Sequence, residues 1–427
     1  MKVSLPFESL RLENGLRVFL HEHHAVPLVA INIWYRVGSR DEHVGRTGLA
    51  HLLEHLMFEG SEHVPPGMFD RRLEDVGGTN NGSTSADRTN YWITVPAHAA
   101  ELALFLDSDR MGWLLPALTR ERFEAQRSVV INERRQSYEN RPYGLAWERI
   151  HAALYPQPHP YQWPVIGWLD DLRAITFDDV RDFFAVHYAP ANATLAVAGA
   201  FDGDRMRDRI ESHFGAVPAG PAPVRAHAAL IPQAAERMFS IDDAVYLPRL
   251  YLTWATPPSF AEHDAELDLA AHVIAAGRAS RLYRSLVYER QIAQDVDAFQ
   301  DGGQLASTFS IVVTARSNVS LDEIERSVRD EIVAIARDGV RDDELEAARN
   351  VVATAFVDGL RTVGGFGGRA DLLNLYALLT GDAGSLSRDW ERYRTATRES
   401  VAQAVRRHLL DRPPLTLSVL PRGGTGV

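Results

Sequence analysis

Runs of apolar and polar residues along the chain predict strands that alternate with helices. The mainly apolar run 28–37 predicts a half-buried strand, and the apolar residues of 48–59 recur at helical spacing. A second helix is predicted over 68–76, and a β-rich segment over 89–95 predicts the next strand. The first part of the chain therefore reads as strand, helix, helix, strand.

Further elements complete a first half and suggest a second half like it. Helices are predicted over 97–112, 120–139 and 177–187, and a strand over 193–198 follows the last of them. The stretch between Phe214 and Arg237 is rich in Ala, Pro and His, which is typical of a linker.

The order of elements repeats after this linker. A strand over 250–255 and a helix over 265–276 correspond to the strand and helix that end at Gly38 and Gly60, and 400–419 resembles 179–197 at a nearly equal offset. We therefore predict an α+β fold of two homologous α/β halves, each a mainly antiparallel sheet covered by helices. The predicted boundaries are 1–215 for the first half, 216–238 for the linker and 239–427 for the second half.

A chemically distinctive motif lies on the first helix, where His51 and His55 flank Glu54 in the pattern H-x-x-E-H. Residues four apart lie on one helical face, so both imidazoles can reach one ion, and Glu54 lies beside them. Zinc hydrolases usually provide three protein ligands, so a third ligand is needed. The second half has Asp268 and His272 opposite the two histidines and Ala271 opposite the glutamate, so the fold does not require the motif.

Composition narrows the function further. The chain has no cysteine, so a metal site must use His and carboxylate ligands. It has 45 Lys+Arg and 57 Asp+Glu, a net charge of -12, so nucleic acid is not an expected partner. No apolar stretch is long enough to span a membrane, and no signal peptide is visible. We expect a cytoplasmic protein, or a periplasmic one if an upstream signal was removed.

H-x-x-E-H is the inverted zincin motif, and its surroundings resemble a known family. The segment 47–61 resembles the zinc helix of the pitrilysin and insulysin metallopeptidases, in the branch that includes the mitochondrial processing peptidase. The resemblance extends over most of the chain. It includes Gly38-Ser39, Asn81-Gly-Ser-Thr-Ser85, His159-Pro-Tyr161, Pro164-Val-Ile-Gly167 and Ser280-Arg-Leu-Tyr283.

The resemblance implies a zinc metallopeptidase with a defined set of roles. In that family the third zinc ligand is a glutamate within a V-V-x-x-E string, and the segment Val129-Val-Ile-Asn-Glu133 matches this string. On composition alone, Glu133 would be one more exposed helical acid. Glu54 is the expected general base. Gln126 occupies a position where relatives often carry another glutamate, and we expect it to lie behind the ligands as a neutral hydrogen-bonding group.

The resemblance also implies that a peptide substrate lies as an extended strand against a sheet edge. The expected substrate-binding residues are Asn81, Gly82, Ser83, Thr84 and Ser85. The alternative is that this stretch is a polar turn before a strand.

Active relatives complete the site with an Arg and, seven residues later, a Tyr from the second half. The same register places Val287 and Gln294 there, so we expect a zinc endopeptidase subunit whose homologous partner supplies the pair, as a heterodimer in preference to a homodimer. A self-sufficient homodimeric peptidase that uses Arg281 and Tyr288 is one alternative. A non-catalytic assembly subunit is the other.

Overall fold

The strands form two separate sheets in the computed structural model, which describes residues 3–221, 223, 225 and 237–422. The strands of the first sheet are β1 (Glu8–Arg11), β2 (Arg17–Glu22), β3 (Leu28–Tyr35), β4 (Thr79–Thr84), β5 (Thr89–Pro96) and β6 (Ala193–Gly199). Those of the second sheet are β7 (Arg237–Asp243), β8 (Arg249–Thr256), β9 (Ala293–Asp301), β10 (Ser307–Ala315) and β11 (Leu415–Pro421).

The two sheets share one topology. Their strand orders are β1-β2-β6-β3-β5-β4 and β7-β11-β8-β10-β9, so the second reproduces the first without β1. The pairs β2–β6 and β7–β11 are parallel, and the other pairs are antiparallel. The predicted α+β fold with an internal repeat is therefore confirmed.

Helices account for most of the remaining described residues, and none of these helices has both the length and the apolar character needed to cross a bilayer. Their bounds are α1 (Leu49–Leu56), α2 (Met68–Asp75), α3 (Ala100–Ala117), α4 (Arg120–Arg134), α5 (Ala146–Leu154), α6 (Leu169–Ala174), α7 (Phe177–His187), α8 (Gly203–Phe214), α9 (Asp264–Ile274), α10 (Leu321–Asp338), α11 (Asp342–Arg361), α12 (Arg369–Thr380), α13 (Leu386–Thr395) and α14 (Arg398–Val405).

The chain folds into two compact units that exchange segments. Unit 1 consists of residues 1–134, 163–226 and 355–387, and unit 2 consists of the rest. Each unit contains one sheet and a helix from the other half of the sequence, because α12 packs on β3 and β6 and α5 packs on β8 and β11. A sheet with apolar residues on both faces needs a helical cover on each face.

This exchange differs from the linear boundaries expected at 215 and 239. The stretch 135–162 packs with the second sheet and 355–387 with the first. Most of the predicted linker, residues 222, 224 and 226–236, lies outside the described residues, and β7 already begins at Arg237.

In unit 1, the two faces of the first sheet are covered differently. Asn32 and Trp34 on β3 donate side-chain hydrogen bonds to Asp371 of α12, at 3.1 and 2.8 Å, and Asn90 on β5 donates a third at 3.1 Å. The opposite face carries Tyr35, whose ring meets that of Tyr188 just after α7 at 4.9 Å between centroids. Helices α1 and α3 pack on that same side, and α1 carries the H-x-x-E-H motif.

Candidate metal centre

The motif helix α1 starts at a fixed point in unit 1. Its N-cap, Gly48, has φ +95°, and a Cβ there would come within 2.6 Å of the Ile166 carbonyl oxygen. The buried carboxylate of Glu42 accepts hydrogen bonds from the Gly48 and Ala50 backbone N–H groups at 2.9 and 2.8 Å. These bonds satisfy N–H groups that the first helical turn leaves unpaired, so Glu42 anchors the helix from which the motif projects.

One face of α1 is buried and the other presents the motif. The buried residues are Leu49, Ala50, Leu52, Leu53 and Leu56. The remaining positions in the motif are His51, Glu54 and His55, which are half-buried. Burial of the leucines therefore orients both imidazoles toward the neighbouring helix α4.

Helix α4 brings Glu133 to the two histidines. Its carboxylate oxygens lie 3.9 Å from His51 Nε2 and 3.3 Å from His55 Nε2. One ligand atom from each of the three residues lies within 4.8 Å of the others. In the described part of the chain, this is the one group of three or more His, Cys, Asp or Glu residues that could hold a metal ion. Within the V-V-x-x-E string, Val130 is fully buried and anchors α4, while Glu133 remains accessible.

The surroundings of His51, His55 and Glu133 shift the pKa values of the three side chains in different directions. Burial lowers the pKa of His51 to about 4, with Glu133 opposing and His55 adding to this shift, so the imidazole is neutral and keeps a free lone pair at neutral pH. Burial is the largest single effect on His55 and would lower its pKa, but the hydrogen bond and the charge of Glu133, together with the charge of Glu54, outweigh burial and raise that pKa. The same hydrogen bond lowers the pKa of Glu133, which stays ionised.

This donor set fits a zinc ion. Two imidazoles and a carboxylate are ligands that zinc accepts, and at bonds of 2.0–2.1 Å tetrahedral ligands lie about 3.3 Å apart. The His55–Glu133 distance of 3.3 Å already matches this value, and the His51–Glu133 distance of 3.9 Å needs only a small side-chain movement. His51, His55 and Glu133, all from unit 1, would hold the ion.

Glu54 lies beside this cluster but is held by another element. Its Oε2 accepts a hydrogen bond from Thr84 Oγ1 of β4 at 2.6 Å. Burial raises the pKa of Glu54, and the hydrogen bond from Thr84 opposes that shift. A carboxylate with a raised pKa near a metal position is suited to accept and return a proton.

The strand β4 is the outermost strand of the first sheet, paired with β5 in the described residues. Gly82 permits its close approach to α1, because a Cβ there would meet Tyr91, Glu54 and Phe58 atoms at 3.1 to 3.3 Å. Asn81, Gly82, Ser83 and Thr84 thus form an ordered edge, not the polar turn that was the alternative. Whether this edge binds peptide stays a prediction.

Ser85 is placed differently from these four residues. It follows the end of β4, where its N–H donates to the Arg88 carbonyl at 2.8 Å and its own carbonyl accepts from Ser39 N at 3.1 Å. Because both backbone groups are already paired, Ser85 cannot extend the ladder that an added strand would form.

The side chains that hydrogen-bond to β4 and link it to α12 were not predicted from the sequence. Arg88 donates to the Ser83 carbonyl at 2.8 Å and to Asn90 Oδ1 at 2.9 Å, and Asn90 in turn donates to Asp371 of α12. Asp371 lies far along the sequence from the motif, and no local pattern links the two. Thr84 was predicted only as a substrate-binding residue; its bond to Glu54 could have been inferred, because Thr84 lies two residues after Gly82 and so shares its face of the strand.

Gln126 is close to the cluster but has an additional partner. Its Nε2 donates to Glu59 Oε1 at 2.6 Å, and its side chain also contributes to the raised pKa of His55. Gln126 thus connects α4 to the region just after α1 as a neutral group, and its role behind the ligands stays a prediction.

The corresponding helix of unit 2 holds no comparable cluster. Asp268 on α9 accepts a hydrogen bond from the Tyr393 hydroxyl at 2.6 Å, and burial raises the pKa of this carboxyl to about 7. His272 has a pKa lowered by burial. In the second half, the motif positions therefore serve packing.

Two models of one peptidase family match this chain. The family model described as Insulinase (Peptidase family M16) matches residues 17–163, and the one described as Peptidase M16 inactive domain matches residues 174–352. Together they span more than half of the chain. The chain belongs to the M16 peptidase family.

Relatives of this M16 chain include named peptidases. It is 28% identical over 368 residues to the zinc protease PqqE of Helicobacter pylori, covering 83% of this chain and 80% of that protein. It is 23% identical over 356 residues to a probable mitochondrial-processing peptidase subunit beta of Arabidopsis thaliana, covering 81% and 66%. The crystal structure of a protease from Helicobacter pylori has the same fold, with a TM-score of 0.88 and 24% identity over 98% of this chain and 100% of that one.

Proposed function

We propose that this chain is the zinc-bearing subunit of an M16 endopeptidase that cleaves extended or unfolded peptides. The observation that carries the proposal is the convergence of His51, His55 and Glu133 with Glu54 beside them. A non-catalytic assembly subunit would not need a complete set of ligands and an adjacent base. The names of the zinc proteases to which the chain is similar support the same reaction.

Each side chain then has a defined task. Bound zinc supplies Lewis acidity, which activates a water molecule and polarises a peptide carbonyl. Glu54 accepts the proton of the attacking water and returns it to the leaving amine, which the raised pKa of this carboxyl favours. Thr84 fixes the orientation of Glu54, since its hydroxyl donates to one of the two carboxylate oxygens.

The outer edge of β4 is the proposed substrate site. An added peptide strand would pair with backbone groups of 81–84 and would replace Asn81 Oδ1 as the acceptor for the Gly82 N–H, so affinity would depend little on the peptide's side chains. The same strand contacts the base through Thr84, so a peptide bound here lies next to the catalytic carboxylate.

Thr84→Val should lower kcat by ~10-fold, part of the 10²–10⁴-fold that a positioned general base contributes. Valine keeps the shape but removes the hydroxyl that orients Glu54. Zinc content and KM should stay within twofold, and Thr84→Ser should restore kcat. Thr79→Val is the matched control, because Thr79 is an exposed residue at the other end of the strand. A Thr84→Val enzyme with wild-type kcat would contradict this role.

A second chain is the proposed source of the Arg/Tyr pair. In unit 2, Arg281 donates two hydrogen bonds to Glu344, at 2.8 and 2.6 Å, and one to Glu331 at 2.9 Å. This pairing raises the pKa of Arg281 and leaves little of its guanidinium for a substrate. Tyr288 is 78% exposed, whereas Arg281 is engaged by two acids, and this difference favours an Arg/Tyr pair from a second chain.

We therefore expect a heterodimer with a homologous chain that carries the pair and lacks H-x-x-E-H. The purified chain alone should bind about one zinc and cleave a quenched fluorescent peptide poorly, and adding that homologous chain should raise the rate at least ~100-fold, the lower end for a lost transition-state contact. Light scattering would report the mixed dimer.

The self-sufficient homodimer makes the opposite prediction. It requires full activity from the chain alone and a large loss on Tyr288→Phe. Under the two-chain proposal, Tyr288→Phe leaves the activity of the mixed dimer within twofold, because the exposed ring serves no catalytic purpose.

A further inference from the structure

A cavity of about 280 Å³ in unit 1 lies away from the motif helix, on the face of the sheet that α12 covers. Arg17, Thr194 and Trp34 form one row across β2, β6 and β3, since Thr194 is in register with both of the others. Arg36 follows two residues after Trp34, at the end of the same strand. The described lining contains no acidic residue.

A third arginine joins this group. Arg225 donates to the Arg36 carbonyl at 2.8 Å and to Asn192 Oδ1, so its guanidinium is fixed at the cavity wall. We name the site formed by Arg17, Arg36 and Arg225, with Trp34, Asn192 and Thr194, the arginine pocket.

The positive charge of the arginine pocket is poorly compensated. The Arg36 guanidinium has no hydrogen bond or ion pair within the described residues. The nearest acid to Arg225 is Asp41, with 3.9 Å between Nη1 and Oδ1, and Asp41 also accepts from Gly38 N at 3.0 Å. Arginines with a structural role here are paired closely, as Arg40 is with Asp87 at 2.6 Å.

The electrostatics of the group agree with this geometry. Burial lowers the pKa of Arg225 to about 10, and repulsion from Arg36 adds to the effect. Burial also lowers the pKa of Arg36, and repulsion from Arg40 and Arg17 adds to this shift, while attraction to Asp41 and Asp87 opposes only part of it. A bound anion would relieve this repulsion and accept bidentate hydrogen bonds from the guanidinium groups.

We propose that the arginine pocket binds a small phosphate-bearing anion. Several guanidinium groups at one cavity suit the multiple oxygens of a phosphate, which can accept from more than one arginine at once. The apolar part of the lining, Trp34, Ala377 and Leu378, leaves a surface for a small organic group attached to that phosphate. This site does not depend on the proposed peptidase function.

The test is isothermal titration calorimetry on the full chain at low ionic strength, with inorganic phosphate and glycerol 3-phosphate as probes. One saturable site per chain is expected, with affinity reduced at least tenfold in Arg36→Ala and in Arg225→Ala. The Arg36 guanidinium makes no hydrogen bond or ion pair with the described residues, so its replacement should leave the thermal unfolding temperature unchanged. The matched control is Arg173→Ala, an exposed unit 1 arginine outside the pocket, which should bind within twofold of wild type.

The two probes identify the source of the phosphate. Tighter binding of glycerol 3-phosphate supports an organic phosphate, and equal binding supports free phosphate. Absence of a saturable site in the wild-type chain would overturn the proposal. Binding that persists in Arg36→Ala, which would place the anion elsewhere, or a preference for citrate over both probes, would overturn it as well.

Discussion

Replacing Glu54 with glutamine is expected to abolish measurable peptide hydrolysis while the metal stays bound. The glutamine amide keeps the shape and can still accept from Thr84, but it cannot take a proton from the attacking water. General base catalysis contributes ~10²–10⁴-fold, so kcat should fall by at least ~100-fold. Hydrolysis of a quenched fluorescent peptide by the complete enzyme gives the rate, and plasma mass spectrometry gives the zinc content.

Glu62→Gln provides the control for this experiment. Glu62 is an exposed carboxylate shortly after the motif helix and outside the metal cluster, so the variant should hydrolyse peptide at the wild-type rate. A Glu54→Gln enzyme that turns over normally would exclude Glu54 as the base, whereas loss of zinc from it would show that this residue serves the metal.

Glu133→Gln should have the largest effect on metal affinity. The substitution removes the negative ligand and leaves His51 and His55 as the remaining neutral donors. Removing a group that only supports a ligand costs 10–100-fold in metal affinity, so removing a direct ligand should cost more than ~100-fold. Competition with a fluorescent chelator measures this affinity.

The structure offers a control on the same helix. Glu121 is exposed in the first turn of α4, and Glu121→Gln should bind zinc as tightly as wild type. Equal zinc affinity in Glu133→Gln would remove the third ligand from the proposed site. It would return Glu133 to the role that composition alone suggests, an exposed helical acid.

The parts of the fold that sequence reasoning predicted are those set by local pattern. The leucines of α1 recur at helical spacing and are buried as expected. The helix predicted over 177–187 is α7, which begins after Thr176 as its N-cap, with Asp179 completing a capping box. The repeat of strands and helices between the halves was visible because corresponding segments bury the same kinds of residue in the same order.

The exchange of α5 and α12 was not predictable in the same way. Both helices are amphipathic or apolar segments whose own sequence does not specify which sheet they cover. Long-range contacts reveal where α12 belongs, among them the hydrogen bonds from Asn32, Trp34 and Asn90 to Asp371, which join residues about 300 positions apart.

The residues of the candidate site also differ in whether the local sequence predicts them. His51, Glu54 and His55 follow from spacing on one helix, whereas Glu133 required the family resemblance, because nothing local distinguishes it from other acids of α4. The Thr84 contact to Glu54 depends on how closely β4 approaches α1, which Gly82 permits. The arginine pocket was missed because its arginines come from three separate stretches of chain.

Zinc K-edge X-ray absorption of the zinc-loaded chain tests the central claim most directly. If α1 and α4 hold one ion, the spectrum should fit two imidazole nitrogens and carboxylate oxygen at 2.0–2.2 Å, and the oxygen contribution should change in Glu133→Gln. A spectrum with fewer than two imidazoles, or one that Glu133→Gln leaves unaltered, would contradict the account.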